Sequence, residues 1–149
     1  MFYCLIPIIV FLLDLVTKTM ALNFLDSHAP LYVLPIFNFY LTFNPGISFS
    51  LFKASSTTGV WFLIALACCI CFFILYEFRK ERDKWIRIAL MFVLGGALGN
   101  IWDRLRYGVV IDFLDFHWGQ YHWPAFNVAD SAICVGVAMI LWRTIRRKK

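Results

Sequence analysis

Apolar residues in this chain gather into four long runs, at roughly 1–22, 58–78, 85–102 and 128–143. Crossing a bilayer core takes about 20 mostly apolar residues in helical form, so each run predicts a membrane-spanning helix. The third and fourth are short enough to end near the interface. Between the runs the pattern changes. In FNFYLTFN (37–44), Phe37, Phe39, Leu41 and Phe43 alternate with Asn38, Tyr40, Thr42 and Asn44, the period of a half-buried strand. The stretch 107–116 is rich in β-branched and aromatic residues and predicts a partner strand. The expected architecture is a mainly α membrane protein, with four transmembrane helices and a small β-sheet layer. It forms one unit over 1–149, because no Pro/Gly/Ser linker or repeat divides the chain.

Composition agrees, with 62% hydrophobic and 15% charged residues and a mean hydropathy of +0.75, far from a soluble domain. The net charge of +5 is no nucleic-acid footprint, because the basic residues form two juxtamembrane clusters. Arg79, Lys80, Arg82, Lys84 and Arg87 lie between the second and third runs, and Arg143, Arg146, Arg147, Lys148 and Lys149 at the end. The other connections hold only Lys53, Arg104 and Arg106. The positive-inside rule then predicts cytoplasmic termini and makes the β-layer outward-facing, with Trp118, Tyr121, Trp123 and Phe126 in an aromatic belt at headgroup level. The first run has no basic n-region or small-residue cleavage site and carries Asp14 and Lys18, so it reads as a retained span. All five cysteines fall in apolar runs and read as free thiols. Neither their spacing nor His117 and His122 resembles a metal site.

Polar residues inside such a chain need explanation, because an ionisable group at membrane depth costs a few kcal/mol. Asp14 and Lys18, four apart on one helical face, predict an interior ion pair that braces the structure. Asn44-Pro45-Gly46 is a turn signal on the outward side, with an amide able to hold an extended peptide. The glycines of GGALGN (95–100) suit close helix packing or a substrate groove equally well. Asn100, Asp103 and Arg104 follow at the outward edge, where Asp103 and Arg104 predict a local salt-bridge network.

Asp112 and Asp130 flank the same membrane face. Asp130 alone would be a first-turn helix acid and Asp112 an exposed strand residue. Two neighbouring carboxylates do not both ionise easily, so one holds a proton while the other stays charged. That asymmetry suits hydrolysis by general acid/base catalysis with no metal, cofactor or covalent nucleophile. Asp115 competes with Asp112, and strand periodicity does not choose between them.

These residues resemble the bacterial lipoprotein signal peptidases, the membrane aspartyl peptidases also called signal peptidase II. Asp14 and Lys18, the turn from Asn44 through Phe49, GGALGNIWDR (95–104), GVVIDF (108–113) and FNVADS (126–131) come in that family's order along nearly the whole length. Pro45 and the Ile47-Ser48 pair vary the usual turn. The resemblance implies a catalytic dyad of Asp112 and Asp130. It also implies a substrate channel lined or braced by Asn44, Gly46, Gly99, Asn100, Arg104, Asn127 and Ala129, with Asp14 and Lys18 supporting the architecture. It further implies an extra surface helix beside the β-layer and a location in the inner membrane. The expected substrate is a diacylglyceryl-modified prolipoprotein, cut before its lipidated cysteine by a monomer that meets it among membrane lipids. A carboxylate relay in a proton- or ion-coupled transporter subunit is the other active class, and a noncatalytic helical anchor is the third.

Overall fold

The computed structural model describes residues 2–46 and 57–147. A 3-10 turn at Phe2–Cys4 leads into α1 (Leu5–Phe24), followed by β1 (Leu31–Leu34), β2 (Phe37–Asn44), α2 (Thr57–Lys80) and α3 (Lys84–Tyr107). Then come β3 (Val110–Trp118), β4 (Tyr121–His122) and α4 (Val128–Arg147). All four α-helices are long and apolar enough to cross a bilayer. Large apolar side chains stay exposed around them, among them Ile8, Leu12, Val16, Phe62 and Phe73. In water that surface would drive aggregation; in lipid it costs nothing.

Helix α3 is the centre of the bundle and packs against each of the other three. Half of its most apolar stretch is buried, against less than a quarter of each other helix's. Glycine makes this possible. A Cβ at Gly95 would strike Pro7 and Val10 of α1, and one at Gly96 would strike the backbone of Ala129 and the side chain of Ile133 on α4. On α4, a Cβ at Gly136 would meet the backbone oxygen of Ala89. Small residues thus let three backbones approach where lipid supplies no hydrophobic drive to association. Between α2 and α3 the packing is by larger side chains, with Ile64, Cys71 and Ile74 against Met91, Leu94 and Ile101.

The strands form one antiparallel sheet in the order β1-β2-β3-β4. Strand β2 coincides with the alternating 37–44 segment, and its register places Thr42 opposite Asp112 and Asn38 opposite Asp115. The sheet rests on the end of α1, where Ala21, Leu41, Ile111 and Phe113 form a second apolar cluster. At the other end of the bundle, Asp83 caps α3 by accepting from the Trp85 and Ile86 N–H groups. Asp83 also pairs with Arg143 of α4 at 2.5 Å, and Glu81 with Arg147 at 3.1 Å. Tyr3, Phe78 and Arg87 meet there too, so both ends of the chain lie opposite the sheet.

Two expectations need correction. The third helix does not stop at residue 102 but runs to Tyr107, where Gly108 takes a left-handed φ of 74° and ends it. The second strand accordingly starts at Val110, and β1 and β4 join it. Apart from the short turn that opens α1, no helix outside the four spans occurs among the described residues. Residues Ile47, Ser48 and Phe49 of the turn motif, and Lys53, lie outside those residues. The five cysteines are free, with Cys71 buried and the rest exposed.

Candidate active site

The polar residues singled out above meet where the sheet sits on α1, α3 and α4. Asp112, 1% exposed, projects from β3. Its Oδ2 accepts from Asn44 Nδ2 at 3.0 Å and its Oδ1 from Asn127 Nδ2 at 2.7 Å. Asn44 is aimed by its own turn: its Oδ1 accepts from the Gly46 N–H at 2.9 Å, so its Nδ2 is left to face Asp112. Such a turn suits Asn, and Gly46 completes it at a φ of 101° that other residues rarely adopt. The Asn-Pro-Gly motif is therefore both a turn and a device for holding a carboxylate.

Asp130 lies in the first turn of α4, two residues past its start. Asn127 Oδ1 accepts from the Asp130 N–H at 2.9 Å, while Asp130 Oδ2 accepts from the Asn127 N–H at 3.4 Å. This reciprocal pair is a capping box. Asp130 Oδ1 accepts from Asn100 Nδ2 at 2.8 Å. Phe126 bridges to Leu114 of β3, which delivers Asn127, fully buried, between the two acids. One amide thus caps the helix that carries Asp130 and donates to Asp112.

Burial pushes the Asp112 carboxyl up to about 6, and the charge of Asp130 adds to the rise. The hydrogen bonds from Asn44 and Asn127, with the Lys18 charge, oppose it. A carboxyl raised in this way keeps its proton to a higher pH than an ordinary aspartate, the asymmetry that acid/base catalysis by two carboxylates needs.

Beneath the acids, Lys18 and Asp14 form the expected ion pair at 2.7 Å, 2% and 1% exposed. Asp103 completes a triad with Lys18 at 2.8 Å. The expected Asp103–Arg104 network does not form: adjacent helical residues point about 100° apart, and Arg104 turns instead to the Asn100 carbonyl at 3.4 Å. Arg104 borders a cleft of about 490 Å³ between the first turns of α2 and the last of α3, lined also by Pro45, Trp61, Ile64 and Tyr107. Gly99 faces Asp14 and Ala129, and Ala129 is wholly buried, so both sit inside the helix junction.

Asp115 is also buried, but in other company. It accepts from Asn38 Nδ2 at 3.3 Å and lies 2.9 Å from His122 Nδ1, while His117 stacks on His122. The spacing of the His pair in sequence did not suggest this Asn38–Asp115–His122 cluster; the β2–β3 register brings Asn38 to Asp115, and the β3–β4 pairing brings His122. Among the described residues no group of three or more His, Cys, Asp or Glu is placed to hold a metal ion.

Fold and site together describe a multi-pass membrane protein in which Asn127 joins two carboxylates, Asp112 and Asp130. The family model described as signal peptidase (SPase) II matches residues 6–146. A lipoprotein signal peptidase of Polynucleobacter necessarius is 47% identical over 97% of this chain and 90% of its own. One from Teredinibacter turnerae is 41% identical over 94% and 84%. Two solved structures, described only as bacterial membrane enzymes determined in meso, superpose with TM-scores of 0.87 and 0.86 at 27% and 28% identity. They cover 99% and 95% of this chain, and 89% and 91% of their own. The chain belongs to the signal peptidase II family of bacterial membrane aspartic peptidases, and nothing in these likenesses supports a transporter.

Proposed function

We propose that Asp112 and Asp130 are the catalytic dyad of an endopeptidase that cuts diacylglyceryl-modified prolipoproteins before the lipidated cysteine. The observation that carries this reading is the pair of carboxylates joined through Asn127, Asp112 buried and Asp130 half-buried, with Asp112 disposed to hold a proton. The ionised member takes a proton from the attacking water, and the protonated member donates to the developing oxyanion. The roles then exchange as the amine leaves. Asn44, Gly46, Asn100 and Arg104 border the scissile segment, whereas Gly99 and Ala129 set the helix spacing beside it.

The sheet end of the bundle faces away from the cytoplasm and both termini face it, a reading supported by the basic residues at the opposite end. The substrate's acyl tails hold it in the plane of the bilayer, which raises its effective concentration at the site. The protein acts as a monomeric unit over 1–149 in the inner membrane. The test is cleavage of a diacylated precursor by purified protein. Asp112→Asn and Asp130→Asn should each abolish turnover while inserting and folding, Asp115→Asn should retain most of it, and a chelator should change nothing. Turnover in either dyad variant sinks the assignment.

A further inference from the structure

Lys18 is 2% exposed, and its ammonium makes three contacts: Asp14 Oδ2, Asp103 Oδ2 and, at 3.2 Å, Asn100 Oδ1. An ammonium carries three protons, so its donor capacity is filled. Each contact leads to the dyad. Asp14 Oδ1 accepts from the Ala129 N–H at 2.8 Å, the residue before Asp130. Asp103 Oδ2 accepts from the Ile111 N–H at 3.0 Å, the residue before Asp112. Asn100, its oxygen turned to Lys18, presents its Nδ2 to Asp130.

We propose that Lys18 is a positioning residue that sets the separation of the two aspartates and the orientation of the Asn100 amide that donates to Asp130. This goes beyond bracing. A simple ion pair would neutralise charge, whereas this one ties together the backbone segments of α4 and β3 that carry the acids. The inference rests on the dyad reading.

The charged groups facing this hub are Asp14 from α1, Asp103 and Arg104 from α3, Asp112 from β3 and Asp130 from α4. Lys18→Met strands two buried acids, so the informative variant is Lys18→Met with Asp103→Asn. It keeps the summed charge of the triad and an oxygen for the Ile111 N–H, while it removes the ties from Lys18 to Asp14, Asp103 and Asn100 together. With a diacylated precursor, kcat should fall about 100-fold, the scale on which an ångström of misplacement is felt, with KM held within about threefold. The acid limb of the kcat profile should move to higher pH by about half a unit, because the ionised dyad loses an oriented donor. Wild-type kcat and limbs in the folded double variant would reduce Lys18 to charge compensation and overturn the proposal.

Should the double variant not fold, Lys18→Arg keeps the charge but engages both carboxylates through its planar fork. The same kcat loss and limb shift are expected there, and wild-type behaviour would again overturn the role. If the unaltered protein failed to cleave the precursor, the dyad reading would fall instead.

Discussion

At the scale of single residues, what distinguishes Asp112 from Asp115 is company. Both are buried on β3, but one faces Asn44, Asn127 and the charge of Asp130, the other Asn38 and His122. Periodicity could not show this, because it assigns residues three apart to opposite faces without saying which face holds a second acid. Asp14 with Lys18 was legible, since the spacing of four fixes their meeting. Asp103 was not, because its partner lies on another helix. The raised Asp112 carboxyl also makes a stability prediction. A carboxyl held above its unfolded value stabilises the fold when protonated, and that contribution is lost as pH rises from about 4 through about 6. Asp112→Asn should therefore melt higher than the parent above pH 6, by at most about 3 kcal/mol, and level with it near pH 4. Thermal denaturation in detergent at both pH values checks this. An inactive variant no more stable at pH 7.5 would contradict it.

At the scale of elements, β2 was readable in its extent because apolar and polar residues alternate along it. Its burial departs from that alternation: Asn38 is buried, Phe43 is exposed, and the register shifts between Phe39 and Thr42. Strand β1 was missed because LYVL is uniformly apolar and uniformly exposed, and β4 because two residues carry no period. The last turns of α3 were hidden because Asp103 and Arg104 look like the end of a span, while Lys18 and Asn100 supply their partners inside the bundle. The glycines at 95, 96 and 99, which left packing and groove equally open, all lie in close contact with α1 or α4. Gly96→Ala should force α4 away from α3, cost about 1–3 kcal/mol and lower kcat, because the displaced turn carries Asp130. Unfolding curves and turnover should fall together. Far from the site, Arg143 and the capped N–H groups hold the Asp83 carboxyl well below the usual carboxylate range. That stabilisation exists above the ordinary Asp value and is lost as pH falls beneath it. Asp83→Ala should lower the Tm at neutral pH, with the gap closing in acid, and leave kcat at low temperature unchanged.

For the whole molecule, the division of labour between helices matters most. Helices α1, α3 and α4 are drawn together by glycine contacts and by the Lys18 hub, and all of the carboxylate lattice hangs on them and on the sheet. Helix α2 contributes no hydrogen bond to that lattice among the described residues. It packs chiefly on α3 through ordinary apolar side chains, and the cleft beside Arg104 opens along this seam. Three helices are thus held by close backbone contacts and polar bonds, and the fourth chiefly by apolar side chains. Apolar packing is the weaker attachment, so α2 is expected to be the element that yields to a bulky chain entering from the membrane, leaving the acids undisturbed. Spin labels on α2 and α3, in a background without native cysteines, should show a broad spread of distances that narrows when precursor is bound, whereas pairs between α3 and α4 should stay sharp throughout.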